Sequence, residues 1–307
     1  MAYPKVTIVG AGNVGATAAE HILMKGIADV VMVDVVEGLP QGKALDMMHM
    51  RSVEKYGPTV TGTNDYADTA GSDIVVITAG IARKPGMTRE DLLDTNSKIM
   101  SSVIEQSMAV SSDAIYICVT NPLDVMVYLA ARESGLPKNR IFGMGGVLDS
   151  SRFAYAIQQE TGADINDIDA LVVGAHGQGM VPLPKHSYVS GKPVTEVLDA
   201  DQVARVCERT VNGGAEVVNY LKTGSAFYAP GASIAAMVEA IVDDSKETMS
   251  VCARLDGEYG VEGIFMCVPV KLGADGIEEV VELELDEEDA KAVRDSAASI
   301  SESIAKL

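Results

Sequence analysis

A glycine-rich turn between a strand pattern and a helix pattern is the feature that most constrains the fold of this chain. Directly after the apolar run at residues 6–9, the chain reads Gly10-Ala11-Gly12-Asn13-Val14-Gly15. Apolar residues then recur at helical spacing over residues 14–25, and Asp34 ends the next apolar run. A lone GxGxxG is weak. With a strand before it, a helix after it and an acidic residue about 20 positions later, it predicts a dinucleotide-binding turn.

The rest of the first half alternates short runs rich in Val and Ile with helical patterns. Continuous apolar runs of this kind are typical of parallel strands that helices cover on both faces. Strands are predicted over residues 6–9, 30–33, 60–62, 74–77 and 114–119, and helices over 14–25, 42–50 and 91–110. We therefore predict a doubly wound parallel sheet of the Rossmann type.

The pattern changes near residues 143–147, where we place a domain boundary between residues 1–144 and residues 145–307. Beyond it the strand patterns resemble antiparallel ones, which predicts an α+β domain. Helices are predicted over 148–161, 200–221 and 232–243 and after Asp286, strands over 170–173, 251–255, 265–270 and 280–285, and a hairpin around 190–192.

Charge and cysteine content exclude several classes of function. The 307 residues carry 44 acidic and 24 basic side chains, a net charge of −20, which disfavours nucleic-acid binding. We find neither an apolar run long enough to span a membrane nor a secretory leader. The four cysteines form no CxxC pair and the histidines complete no zinc pattern. We therefore expect no metal, no membrane, and a reducing, cytoplasmic compartment.

Asp34 also predicts which dinucleotide binds. Its carboxylate would accept hydrogen bonds from the adenosine ribose hydroxyls and would repel a 2′-phosphate. The residues that follow it, Val35, Val36 and Glu37, supply no arginine for such a phosphate. NAD is therefore favoured over NADP. The alternative is that Asp34 only caps a helix or turn.

Four polar residues at the ends of predicted elements could perform oxidation of a secondary alcohol. Asp149 and Arg152 lie one turn apart on a helix, His176 lies in a glycine-rich turn after a strand, and Asn121 follows a buried strand. A histidine can accept the hydroxyl proton if a carboxylate holds its other nitrogen, and arginine binds carboxylates with two parallel hydrogen bonds. Taken singly, His176 could be a turn residue, and Asp149 with Arg152 a surface ion pair.

The loop after residues 74–77 carries two arginines, Arg83 and Arg89, in an otherwise acidic chain. Because arginine is a fixed cation that binds carboxylates, the pair points to a small ligand with more than one negative group. The alternative is a solvated loop whose arginines only aid solubility.

Several motifs together resemble the malate/lactate dehydrogenase superfamily, and most of all its lactate-dehydrogenase-like malate dehydrogenases of bacteria. The resemblance covers essentially the whole chain. It is carried by Val9-Gly10-Ala11-Gly12-Asn13-Val14-Gly15, Thr78-Ala79-Gly80, Thr120-Asn121-Pro122-Leu123-Asp124, Leu148-Asp149-Ser150-Ser151-Arg152-Phe153, Gly174-Ala175-His176-Gly177 and Met180-Val181-Pro182.

The resemblance implies catalytic and substrate-binding roles for individual residues. His176 would be the proton acceptor, with Asp149 as its partner, and Arg152 would bind the first substrate carboxylate. Arg89 would lie on a closing loop and polarise the reacting carbonyl. Arg83 occupies the position at which lactate dehydrogenases carry glutamine.

Further contacts follow from the same resemblance. Asn121 and Ser225 would contact or border the substrate. The cofactor would be bound by Gly10, Ala11, Gly12, Asn13, Val14, Gly15, Asp34, Asn96, Val119, Thr120 and Asn121. One departure concerns Gln178-Gly179, where the family usually has an aspartate and then a serine or threonine. We expect the loss of a charge and a hydroxyl to alter the hydrogen bonds and pKa of the neighbouring His176 without removing activity.

Arg83 favours malate and oxaloacetate as substrates. Closing an arginine over a methyl group would leave a buried charge unpaired, which costs several kcal/mol, whereas a second carboxylate would pair it. The expected enzyme is thus an NAD-dependent malate dehydrogenase, typical of the tricarboxylic acid cycle. The resemblance, rather than the residue pattern, implies a dimer or a tetramer and favours a homotetramer. Two alternatives stay open, a lactate or other 2-hydroxyacid dehydrogenase and a non-catalytic NAD-binding regulatory protein.

Overall fold

The N-terminal half builds a six-stranded parallel sheet. The computed structural model describes residues 3–82 and 88–307; of Arg89 only the backbone is described. The sheet order is β3-β2-β1-β4-β5-β6, with β1 at the switch point, which confirms the predicted doubly wound fold. The elements are β1 Lys5–Val9, α1 Asn13–Met24, β2 Asp29–Val33, α2 Leu39–Glu54, β3 Val60–Thr63, β4 Ile74–Ile77, α3 Arg89–Val110, β5 Ile115–Cys118, α4 Leu123–Ser134 and β6 Ile141–Gly143.

The C-terminal half mixes long helices with antiparallel strands, as the sequence predicted. Helix α9 begins at the predicted cap, where Asp286 Oδ1 accepts the Asp289 N–H at 2.9 Å. The elements are α5 Gly146–Thr161, β7 Ile168–Asp169, β8 Val172–Gly174, β9 Met180–Pro182, β10 Tyr188–Val189, β11 Lys192–Pro193, α6 Val194–Val197, α7 Ala200–Leu221, α8 Tyr228–Val242, β12 Glu247–Asp256, β13 Glu262–Gly273, β14 Gly276–Val280 and α9 Glu287–Ile304.

Both halves share one sheet. Strand β6 pairs with β12 in the antiparallel sense, and the order continues through β13 and β8 to β9. A single row of paired residues crosses it from Val33 through Val9, Ile77, Cys118, Gly143, Cys252 and Cys267 to Gly174. The turns after β1, β4, β5 and β8 therefore all begin next to this row of paired residues.

The predicted strand over residues 280–285 is wrong beyond Val280, where β14 ends. The following segment is instead held by a tyrosine side chain. Tyr259 Oη donates to Val281 O at 2.7 Å and accepts the Leu283 N–H at 3.1 Å. After one last backbone hydrogen bond, from Val281 N–H to Pro269 O of β13 at 2.8 Å, the Tyr259 side chain pairs backbone groups that a neighbouring strand would otherwise pair.

Helices α1 and α8 pack closely and cover one face of the sheet. A Cβ atom added at Gly231 of α8 would lie 2.6 Å from Thr17 Cγ2 and 3.0 Å from the Ala18 backbone nitrogen of α1. The absence of a side chain at Gly231 thus permits the close approach. Within the described part of the chain, no helix combines the length and apolar character needed to cross a bilayer.

Candidate active site

The glycine turn after β1 is shaped to receive a phosphate group. Gly10 has φ +105°, and a Cβ there would lie 2.7 Å from Thr78 Oγ1, whereas a Cβ at Gly15 would lie 2.0 Å from Gly10 O. A Cβ at Gly12 would meet nothing within 4 Å, and no side chain caps the start of α1. The first N–H groups of α1 therefore face open space, where the helix dipole favours an anion.

Asp34 ties the end of β2 to this turn. Its Oδ2 accepts the Ala11 N–H at 2.7 Å and its Oδ1 accepts the Val36 N–H at 2.9 Å. The side chain is half-buried and each oxygen keeps a free lone pair, so ribose hydroxyls can still donate to it. The predicted ribose role and the alternative turn role are thus compatible.

Lys43 of α2 is a residue at the glycine turn that the sequence analysis missed. Its Nζ donates to Ala11 O at 2.8 Å and to Gly12 O at 3.3 Å. It binds the carbonyl side of the turn and brings a positive charge close to the open phosphate position. No local spacing signals this contact, because a lysine on a helix face is usually solvated.

The structure brings His176, Asp149 and Arg152 together. His176 Nδ1 lies 2.8 Å from Asp149 Oδ2, and Arg152 donates from an Nη to Asp149 Oδ1 at 3.0 Å. Asp149 is 1% exposed and occupies the first turn of α5, where the helix dipole favours its negative charge. With Nδ1 occupied by Asp149, Nε2 is left for a reacting group.

The surroundings of His176 raise its pKa above 6.5. Burial alone would lower the pKa, because it disfavours the charged imidazolium. The charge of Asp149 and its hydrogen bond, together with the charge of Asp124, outweigh burial and the opposing charge of Arg152. His176 therefore keeps its proton to a higher pH than a free histidine.

Arg152 is positioned by two helices. It lies on α5, and its side chain runs along α7 at Gly213 and Gly214, where an added Cβ would lie 3.2 Å from Arg152 Cδ and 3.5 Å from an Nη, respectively. These adjacent glycines give the guanidinium room while α7 covers it. The sequence analysis did not single them out, although paired glycines inside a long amphipathic helix are a usable signal.

The segment after β5 borders the same edge of the sheet. Thr120 Oγ1 donates to Ala79 O at 2.6 Å, which joins this segment to the loop after β4. Asn96 is fully buried. Its Nδ2 donates to Asn121 O at 2.7 Å and to Ile81 O at 3.1 Å, and its Oδ1 accepts the Ile81 N–H at 2.9 Å. Asn96 thus clamps two loops, and its direct contact with the cofactor stays a prediction.

Asp124 of α4 is a second residue that the sequence analysis left without a role. Its Oδ2 accepts the backbone N–H of His176 at 3.1 Å, and its Oδ1 accepts the Cys252 thiol at 3.4 Å. A carboxylate oxygen of Asp124 and the sulfur atoms of Cys252 and Cys267, all of which could bind a metal ion, lie within 4.8 Å of one another. Burial raises the pKa of the Cys252 thiol, so this thiol acts as a neutral donor rather than as a thiolate metal ligand.

The turn that carries His176 is fixed from α9. Ser296 Oγ accepts the Ala175 N–H at 2.8 Å and donates to Gly179 O at 2.7 Å. Gly177 has φ +103°, a conformation suited to glycine. The Gln178-Gly179 departure therefore lies in a turn that a serine from a distant helix holds, and Gly179 O is one of its anchors.

Three predicted substrate residues are not tested by this geometry. Arg83 lies outside the described residues, and the side chain of Arg89 does as well. Ser225 is exposed in the connection between α7 and α8. Val119, by contrast, is half-buried next to Thr120, at the predicted nicotinamide edge.

These contacts make a site that can bind a dinucleotide at one end and move a proton at the other. The glycine turn follows β1, Asp34 follows β2, and His176 follows β8, while Thr120 and Asn121 follow β5. All of these segments begin beside the same row of paired residues. Because Asp149 and Arg152 lie beside His176, a carboxylate-bearing alcohol or ketone could be held against the imidazole.

Comparisons with known proteins agree with this architecture. Residues 4–143 match the family model of the lactate/malate dehydrogenase NAD-binding domain, and residues 146–307 match that of the lactate/malate dehydrogenase alpha/beta C-terminal domain. A malate dehydrogenase of Methanosarcina barkeri is 51% identical over 99% of both chains.

Solved structures of both activities resemble the chain. The malate dehydrogenase of Salinibacter ruber has a TM-score of 0.95 at 46% identity, covering 99% of this chain and 97% of that one. The lactate dehydrogenase of Cryptosporidium parvum, complexed with lactic acid and NAD, has a TM-score of 0.95 at 39% identity, covering 100% and 99%. The chain belongs to the lactate/malate dehydrogenase family.

Proposed function

We propose that this chain is a malate dehydrogenase that uses NAD to oxidise malate reversibly to oxaloacetate. The observation that carries the chemistry is the 2.8 Å contact between His176 Nδ1 and the buried Asp149 carboxylate, with Arg152 on its other oxygen. Relatives about 50% identical over their full length are named malate dehydrogenase, which supports the substrate.

The glycine turn fits the proposed cofactor. Gly12 leaves open space before the N-terminus of α1, and Asp34 offers carboxylate oxygens where an adenosine ribose would lie. When bound, NAD supplies the acceptor for the hydride that leaves the alcohol carbon. We propose that residues 1–144 hold it and that residues 145–307 supply the groups that act on the substrate.

In malate oxidation, His176 Nε2 accepts the hydroxyl proton while Asp149 holds the opposite ring nitrogen. The negative charge of Asp149 stabilises the imidazolium that results. Arg152 has N–H groups beyond the one bonded to Asp149, and these bind the carboxylate next to the reacting carbon. In the reverse direction protonated His176 returns the proton to the carbonyl oxygen.

The choice of substrate rests on Arg83, whose role we propose from the sequence. A second carboxylate would pair this arginine once the loop closes, and a methyl group would not. Arg89 would face the reacting carbonyl. A lactate or other 2-hydroxyacid dehydrogenase is the second candidate, because a lactate dehydrogenase shares the fold at a TM-score of 0.95.

Side-by-side rates of NADH oxidation with oxaloacetate and with pyruvate test the function, and NADPH tests the cofactor. We expect oxaloacetate with NADH to exceed both other combinations by about 100-fold or more in kcat/KM. Faster turnover of pyruvate would establish the second candidate. No oxidation with any 2-oxo acid would leave a non-catalytic NAD-binding protein.

The variant Arg83→Gln should lower kcat/KM for oxaloacetate by about 100-fold and raise it for pyruvate. Lys84→Gln is the matched control, because it removes the same charge from the adjacent position of the same loop. It should leave the ratio of the two rates nearly unchanged. An equal loss in both variants would show that the general charge of the loop matters rather than Arg83.

We also propose that the protein is a cytoplasmic homotetramer working in the tricarboxylic acid cycle. Its free cysteines support a reducing compartment. Large apolar side chains exposed on α2, where Leu45 is 59% and Val53 is 74% exposed, support an interface between copies of the chain. Light scattering at micromolar concentration should give the mass of four chains. A two-chain mass would replace the tetramer with a dimer.

A further inference from the structure

A buried carboxylate that the proposed reaction does not use lies directly behind the catalytic turn. Asp124 is 7% exposed and lies in the first turn of α4. It bridges three separate parts of the chain, because it accepts the His176 backbone N–H and the Cys252 thiol while lying on α4 itself. A buried carboxylate costs free energy unless hydrogen bonds or an opposite charge compensate its burial.

The hydrogen bonds of Asp124 compensate its burial only in part. Burial raises its pKa to about 6, although the charge of His176, the Cys252 thiol and the backbone N–H groups lower it. Asp124 and His176 therefore titrate in neighbouring pH ranges. A neutral hydrogen-bond acceptor would serve a purely structural contact better, because it would not carry the cost of burying a charge.

The charged groups around the pair are few. Asp149 and Arg152 face His176 from α5, and Asp124 faces it from α4. Cys252 and Cys267 face Asp124 from β12 and β13, and the pKa of each thiol is raised. Among the described residues, Asp124 is thus the second anion that acts on His176, next to Asp149.

We propose that Asp124 is a positioning residue whose ionised carboxylate both anchors the backbone of His176 and keeps its imidazole basic. Asp149 acts on the ring through a hydrogen bond, and Asp124 acts through the backbone and through charge. This inference rests on the proposed function for its consequence in turnover, but the basicity of His176 can be measured without turnover.

The test compares Asp124→Asn with the wild type. Asparagine has the same shape, and its carbonyl can still accept the His176 N–H, so the substitution removes the charge and keeps the anchor. Diethyl pyrocarbonate modifies imidazole in its neutral form and not as imidazolium. Mass spectrometry of the peptide that contains His176 separates this modification from that of other residues. The rate of modification against pH gives the pKa of His176.

We expect the pKa of His176 to fall by about one pH unit in Asp124→Asn. The pH at which kcat/KM for oxaloacetate declines on the alkaline side should fall by the same amount. The value of kcat/KM on the low-pH plateau should stay within about threefold of the wild-type value. An unchanged pKa with lower activity at every pH would show that Asp124 is only a structural anchor and would overturn the proposal. An inactive wild type with the pKa shift would overturn the proposed function alone.

A second pair of variants serves if Asp124→Asn does not fold. Cys252→Ala removes the thiol that stabilises ionised Asp124, so Asp124 should hold its proton to a higher pH and the pKa of His176 should fall, by less than in Asp124→Asn. Cys267→Ala is the matched control, because it leaves the thiol bond to Asp124 in place. Equal pKa values of His176 in both variants would overturn the proposal.

Discussion

Two buried carboxylates lie beside His176 and act on different atoms of it. Asp149 contacts the ring nitrogen at 2.8 Å, and Asp124 contacts the backbone nitrogen at 3.1 Å. One orients the imidazole and the other fixes where the chain carries it. Because both are negative, both favour the imidazolium, which is the form that would donate a proton to oxaloacetate in the proposed reaction.

The protonation of His176 should control binding of oxaloacetate. The pKa of His176 is raised above 6.5, so the protonated form is fully present below that pH and is lost as pH rises through the raised value. Affinity of the NADH complex for oxaloacetate should then fall about tenfold per pH unit. Binding of malate to the NAD complex should improve over the same range. Flat profiles for both would rule out His176 as the titrating group.

Removing the charge of Asp124 should stabilise the fold. Its pKa rises from 3.8 to about 6 on folding. Protonation therefore stabilises the native state fully below pH 3.8, and this stability is lost as pH rises through about 6. Between pH 5 and pH 8, the free energy of unfolding of Asp124→Asn should gain about 1–2 kcal/mol on that of the wild type. Urea unfolding at both pH values measures the change, and a constant difference would contradict it.

The sequence predicted the pairing of His176 with Asp149 but missed other residues around it. Asp149 and Arg152 share a helix face, which local spacing shows. Lys43, Asp124 and Ser296 reach the site from elements distant in sequence, and each one taken alone is an ordinary polar residue on a helix. Only the folded arrangement reveals their partners. The substrate-binding roles of Arg83 and of the Arg89 side chain remain predictions from the sequence.

At the scale of elements, close helix packing holds the cofactor turn in place. Helix α1, which begins at that turn, packs on α8 through Gly231. Most helices and strands were predictable because their apolar spacing is regular. Helix α4 was missed because it is buried on nearly every side and so lacks a periodic polar face. Its apolar pattern could not be told from a strand by spacing alone.

Adding a side chain at this helix contact should destabilise the protein. Gly231→Ala places a Cβ 2.6 Å from Thr17 Cγ2, so the helices must separate, and we expect a loss of about 1–3 kcal/mol. Gly42→Ala is the matched control, because a Cβ at this exposed position of α2 meets nothing within 4 Å. It should gain up to about 1 kcal/mol. Thermal unfolding compares them, and equal stability would show that α1 and α8 adjust freely.

At the scale of the whole molecule, the net charge of −20 opposes compactness. Ion pairs such as Lys138 with Asp256 at 2.9 Å are exposed and contribute little. With 44 acidic and 24 basic residues, the repulsion among unpaired carboxylates outweighs the attraction within these ion pairs. Salt screens both effects. Local cations, such as Lys43 at the glycine turn and Arg152 beside His176, offset this field around the candidate site.

Salt should therefore raise the midpoint of thermal unfolding. From about 0.02 M to 0.5 M NaCl the screening length falls from roughly 20 Å to about 4 Å, which suppresses most long-range repulsion. We expect a rise of several degrees that levels off near the upper concentration. A continuous linear rise would indicate preferential exclusion of salt, and a fall would show that ion pairs dominate.

The row of paired residues from Val33 to Gly174 fixes a distance across the sheet. Neighbouring strands are about 4.8 Å apart, and a hydrogen-bonded ladder cannot stretch without breaking. The distance from the Asp34 end of the sheet to the His176 end is thus set by the number of strands between them rather than by a hinge. Insertions in surface loops would leave this length unchanged, whereas losing one strand would shorten it by one strand spacing and displace His176 from its proposed position beside the reacting carbon.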